Sequence, residues 1–72
     1  MKILNLQQIK ALSEDDFDDL LKGTINDLNV NGDTYYLDEL NNGTYLISRD
    51  EFPVEVCLNE SVAVKRFEEI TS

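Results

Sequence analysis

The sequence contains no histidine and no tryptophan, one cysteine and one proline. Without histidine there is no imidazole general base, no histidine metal ligand and no histidine pH switch. Cys57 stands alone, so no internal disulfide can form. A small chain without a disulfide framework points to a reducing, cytoplasmic setting. Positive charge is also scarce. Six Lys and Arg face fifteen Asp and Glu, a net charge of −9 over 72 residues. Lys65-Arg66 is the only adjacent basic pair, which disfavours direct nucleic-acid binding. No glycine-rich phosphate loop is present. No stretch approaches the ~20 apolar residues that cross a bilayer, and Met1 to Gln8 lacks a signal-peptide core. Anionic lipid would repel the acidic surface. Asn42-Gly43-Thr44 and Asn59-Glu60-Ser61 match the glycosylation acceptor pattern, and without a secretory signal they read as chance.

What is present suits one small domain spanning residues 1–72. Hydrophobic residues make up 42% of the chain, a normal globular share that argues against disorder. A domain of this size buries roughly 60–65% of the surface its unfolded chain exposes, so its core is small. Ser13 followed by Glu14, Asp15 and Asp16 is a helix N-terminus signal, since the side chains meet free N–H groups and the positive end of the dipole. Phe17, Leu20, Leu21, Thr24, Ile25 and Leu28 then recur at helical spacing, which predicts one long first helix, with Gly23 inside it or ending it. Ile9 and Leu12 suggest a short preceding turn or helix. Met1 to Leu6 is open between that and a short strand.

Thr34 to Leu40 and Thr44 to Ser48 are rich in strand formers, and Asn41-Asn42-Gly43 between them predicts a hairpin. Asp50-Glu51-Phe52-Pro53 reads as a second turn. Val54, Val56 and Leu58 alternate with Glu55 and Cys57, as in a half-buried strand, with Pro53 at its start or on an edge. Asn59 or Ser61 caps a last helix whose apolar side is Val62, Ala63, Phe67 and Ile70. The expected fold is α+β, a three-stranded antiparallel meander packed against an N-terminal and a C-terminal helix, both on the sheet's apolar face.

Asp15, Asp18 and Asp19, flanked by Asp16, share one strip of the first helix, with no lysine before Lys22. Residues 23–48 contain no Lys or Arg but carry Asp27, Asp33, Asp38 and Glu39. If helix and hairpin lie side by side, these carboxylates merge into one negative surface. The simpler alternative is a solvated helix face with a favourable dipole term.

Asp27, Asn29, Asn31, Gly32, Asp33 and Asp38 also resemble an EF-hand calcium loop in spacing. Against this, the twelfth position is Asp rather than Glu, Thr34 replaces a branched apolar residue, and a hairpin follows. The alternative is a turn joining helix to strand. No metal and no cofactor is expected. Cys57 has no neighbouring base to activate it and reads as an apolar filler. No carboxylate pair is singled out for acid–base work, so an enzyme is not expected.

In size, charge and helix–meander–helix plan the chain resembles small acidic phage proteins that inhibit host defence enzymes, including anti-CRISPR proteins and other DNA mimics. Locally, Asn41-Asn42-Gly43-Thr44-Tyr45-Leu46-Ile47-Ser48 and Asn59-Glu60-Ser61-Val62 are similar to an anti-CRISPR family that inhibits a CRISPR nuclease. The likeness covers under a third of the chain. It implies an inhibitor that blocks a nucleic-acid site. The expected partner is a basic, nucleic-acid-binding protein such as a CRISPR effector or other host-defence nuclease. The partner would meet Asp15, Asp16, Asp18, Asp19, Asp27, Asp33, Asp38 and Glu39, with Tyr35, Tyr36, Tyr45 and Phe52 as aromatic anchors. Alternatives are an immunity or antitoxin-type protein against a basic nuclease, and a non-inhibitory assembly subunit. An exposed sheet edge offers a route to a homodimer.

Overall fold

Local capping sets the first turns of the chain. The computed structural model describes residues 3–72. Asn5 Oδ1 accepts from the Gln8 N–H while Gln8 Oε1 accepts from the Asn5 N–H, both at 2.9 Å, a reciprocal capping box. It opens α1, Leu6–Lys10. Residues 3–5 ahead of it form no strand, which settles for those residues the choice left open above; Met1 and Lys2 lie outside the described residues. Ser13 Oγ accepts from the Asp16 N–H at 3.2 Å and opens α2, Glu14–Leu20.

The long first helix expected from the apolar stripe does not form. Phe17 and Leu20 are helical, but Leu21, Thr24, Ile25 and Leu28 belong to a strand, β1, Leu21–Val30. Gly23 and the β-branched Thr24, Ile25 and Val30 weaken a helix at that point. Asn31 and Gly32 then take φ of 53° and 90°, the positive pair that a two-residue hairpin turn of type I′ needs. The turn sets Val30 opposite Asp33 and pairs β1 with β2, Asp33–Leu40. The segment read as a turn from helix to strand therefore joins strand to strand.

The remaining strands are β3, Tyr45–Arg49, and β4, Phe52–Cys57. The sheet is a four-stranded antiparallel meander in the order β1-β2-β3-β4, where three strands were expected. The Asn41-Asn42-Gly43 turn forms as predicted, with Gly43 at φ 84° and Asn42 Oδ1 accepting from both the N–H and the hydroxyl of buried Thr44. The second turn is only Asp50-Glu51, since Arg49 already pairs with Phe52. Pro53 lies on the outer strand β4, an edge position of the kind to which proline is confined in sheets. Asn59 Oδ1 accepts from the Val62 N–H at 2.9 Å and starts α3, Glu60–Thr71.

The helices do not share one face of the sheet. β3 explains why. Leu46 and Ile47 are consecutive, point to opposite faces and are both fully buried. A strand apolar on both sides needs cover on both. α3 covers one face, where Ala63 and Phe67 meet Leu37, Ile47 and Cys57, with Tyr35, Tyr45 and Ile70 around them. α1 and α2 cover the other, where Ile9 meets Leu40 and Leu46, with Leu6, Phe17, Leu20 and Val56 around them. Val62, expected on the apolar side of α3, is largely exposed. The buried row is Ala63, Phe67 and Ile70, and Val62 lies one position outside it.

Candidate functional site

Strand register decides which acidic side chains stay together. On β2, Tyr35, Leu37 and Glu39 face α3, while Tyr36, Asp38 and Leu40 face α1 and α2. On the α3 side Asp33, Glu39, Glu55 and Glu69 find cations, whereas Glu60 and Glu68 on α3 form no ion pair among the described residues. Asp33 bonds Arg49 at 3.1 Å and Glu39 bonds Lys22 at 3.3 Å. Glu55 takes a two-pronged contact from Arg66, Nε to Oε2 at 2.8 Å and Nη2 to Oε1 at 3.0 Å, and Glu69 adds a contact to Arg66 at 3.5 Å. The hydrogen bonds from Arg66 hold the Glu55 carboxyl below its ordinary pKa and raise that of the guanidinium. Burial, with Glu55 beside it, pushes the Cys57 thiol up, the opposite of nucleophile activation.

The α1/α2 side is different. Asp15, Asp16, Asp18 and Asp19 are all exposed on α2, and among the described residues none of them forms an ion pair. Asp27 is exposed on β1, opposite Tyr36, and is likewise without a cation. Between the two short helices and the sheet runs a groove of about 820 Å³. Ile9, Leu12, Phe17 and Tyr36 supply apolar wall. Glu14, Asp18, Asp38, Asp50 and Glu51 supply carboxylates, and Lys10 is the one basic side chain among the described residues that line it. Phe52 stands at its rim, 74% exposed. Burial raises the pKa of Asp38, partly offset by the Thr24 hydroxyl, which donates to its Oδ1 at 2.7 Å.

The residues read from the sequence thus divide. Asp15, Asp16, Asp18, Asp19, Asp27, Asp38 and Tyr36 share the α1/α2 side. Asp33, Glu39, Tyr35 and Tyr45 lie on the other, the first two neutralised and both tyrosines packed on the core. Glu14, Asp50 and Glu51 were not singled out. Their only signal is adjacency, since Glu14 begins α2 and the Asp50-Glu51 turn reaches the groove through the β3–β4 connection. The calcium-like spacing is not a loop. Asp27 and Asn29 lie in β1, Asn31 in a two-residue turn and Asp33 on Arg49. Among the described residues no group of three His, Cys, Asp or Glu is placed to hold a metal ion. Among them, too, no helix is long and apolar enough to cross a membrane.

No protein-family model matches the chain, and no curated protein or solved structure matches it either. Geometry and charge alone carry the functional reading.

Proposed function

We propose that this protein is a binding protein rather than an enzyme, and that it docks its α1/α2 side on a basic, nucleic-acid-binding protein and blocks that protein's nucleic-acid site. One observation carries the reading: among the described residues ion pairing is confined to the α3 side, while Asp15, Asp16, Asp18, Asp19 and Asp27 on the opposite side form no ion pair. Unrelieved like charge at helical spacing costs a few tenths of a kcal/mol per pair, and a partner's cations would remove that cost. The density is suited to the task. α2 is a seven-residue helix about 10 Å long bearing Glu14, Asp15, Asp16, Asp18 and Asp19. Duplex DNA carries about six charges over the same length of axis. The helix therefore imitates a few base pairs, enough to occupy one cleft. A CRISPR effector or another host-defence nuclease is the partner class that best fits this chemistry.

The test is capture from a bacterial lysate by the tagged protein, followed by titration of the captured enzyme. The expected complex weakens by at least about tenfold between about 50 and about 200 mM salt, is displaced by duplex DNA, and is lost in the double variant Asp15→Lys/Asp19→Lys. A complex indifferent to salt, to DNA and to the double variant overturns the reading in favour of an apolar assembly interface.

A further inference from the structure

The groove floor holds a group that the outer acidic strip does not explain. Asp38 is only 7% exposed, yet it lines the groove. Thr24 Oγ1 satisfies Oδ1. Among the described residues no other donor and no cation reaches the carboxylate. Among the described residues no fully occluded side-chain oxygen lacks a partner, so the second oxygen, Oδ2, keeps some exposure. A carboxylate withdrawn this far from water is costly unless a cation compensates it. Among the described residues the ion pairs engage Lys22, Arg49 and Arg66, and Lys10, which lines the groove, forms no ion pair with Asp38. A cation of a partner entering the groove would compensate it.

The walls say which cation fits. Phe17 and Tyr36 give the groove apolar, aromatic surface, and Glu14, Asp18, Asp50 and Glu51 set a negative field around it. An ammonium keeps a tight water shell that such walls would strip. A guanidinium is planar, more weakly hydrated, stacks on aromatic faces and reaches a carboxylate with paired donors. Resting on the docking reading above, we propose that the groove is an arginine pocket: it receives one arginine of a basic segment of the partner, with Asp38 as the terminal acceptor and Phe17 and Tyr36 against the guanidinium plane. The outer α2 carboxylates steer the partner, and Asp38 selects the residue that anchors it. The raised pKa of Asp38 agrees with this role, since perturbed carboxylates in grooves mark binding positions.

The probe is a fluorescein-labelled peptide of alternating Arg and Gly, with its Lys counterpart of equal charge, titrated by anisotropy at fixed salt. The arginine peptide is expected to bind more tightly. Asp38→Asn keeps the shape and the Thr24 contact and is expected to weaken the arginine peptide by about tenfold or more. Glu68→Gln removes the same charge from the exposed side of α3 and is expected to leave binding within about twofold. Tyr36→Leu is expected to lower the Arg-to-Lys preference, a ratio that a general loss of packing does not change. Equal binding of both peptides, or equal effects of Asp38→Asn and Glu68→Gln, overturns the pocket. If both peptides then still fail on Asp15→Lys/Asp19→Lys, the docking side survives and only the pocket is lost. If neither peptide binds the parent protein, both readings fall.

Discussion

The two faces of one sheet are built to different rules. The α3 face has a single twelve-residue helix, a closed apolar cluster and every ion pair found among the described residues. The α1/α2 face has two helices of five and seven residues, an open groove and carboxylates without cations. Each face buries large side chains, Leu37 and Ile47 on one, Leu40 and Leu46 on the other. Apolar burial is therefore shared, whereas charge is not. What distinguishes the faces is electrostatic, and that asymmetry is what a partner can read.

The largest expected effects test the shared part. Ile47→Ala and Leu46→Ala each remove a fully buried side chain, one per face, and each is expected to cost about 2–5 kcal/mol in urea unfolding. Against a total of about 5–15 kcal/mol, either change leaves a marginal fold. If Leu46→Ala costs under about 1 kcal/mol while Ile47→Ala costs the full amount, α1 and α2 are a loose cover and the faces differ in packing as well as charge.

Next comes the hairpin that gives the sheet its fourth strand. Gly32 holds φ +90° with open space around it, so a methyl there meets only backbone strain. Gly32→Ala is expected to cost about 1–3 kcal/mol, with faster amide hydrogen exchange in β1 than in β3. Unchanged exchange in β1 would show that its pairing does not depend on this turn.

Smaller effects separate the faces by pH. Asp38 titrates higher in the folded chain than in the unfolded one. Between those two values the native state holds more protons, so stability falls as pH rises through the raised value. Asp38→Asn is therefore expected to melt above the parent at pH near 7, the gain disappearing below the ordinary Asp value of about 4. Glu55 has the opposite sign. Its carboxyl is held low, so its contribution is present above the ordinary Glu value and is lost as pH falls through the lowered one. Glu55→Gln is expected to lower the melting temperature slightly at neutral pH and to match the parent in strong acid. Thermal melts from acid to neutral pH check both. Slopes of the same sign would erase the contrast between the faces.

Much of this was legible in the sequence, for local reasons. The β2–β3 hairpin follows from Asn41-Asn42-Gly43, the α2 start from Ser13, and the α3 start from Asn59 or Ser61, of which Asn59 is the cap. β1 was not legible. Register shifts at Leu21/Gly23 and Thr24/Asn26 insert extra residues, so the in–out alternation that marks a strand is interrupted twice. Residues 22–29 are all exposed, leaving no buried row to betray the period. The apolar positions that remain fit a helix by default, and Asn31-Gly32 fits a calcium-like spacing as well as a hairpin turn. On the functional side, the α2 carboxylates were found because their neighbours in sequence are their neighbours in space. The neutralising of Asp33 by Arg49 and of Glu39 by Lys22 depends on strand register, which the residues alone did not reveal. The same register sinks Asp38 into the groove floor instead of leaving it on an outer surface.

The irregularity that hid β1 has a consequence for self-association. β1 and β4 are the sheet's two borders. β1 is kinked by its two insertions, and β4 carries a proline and a looped-out Val54 opposite the Ile47–Ser48 step. These irregularities shorten the continuous row of donors and acceptors that each border offers a second molecule, to residues 26–30 on β1. Such interruptions work against strand templating along borders that lie near exposed Phe52 and Leu58.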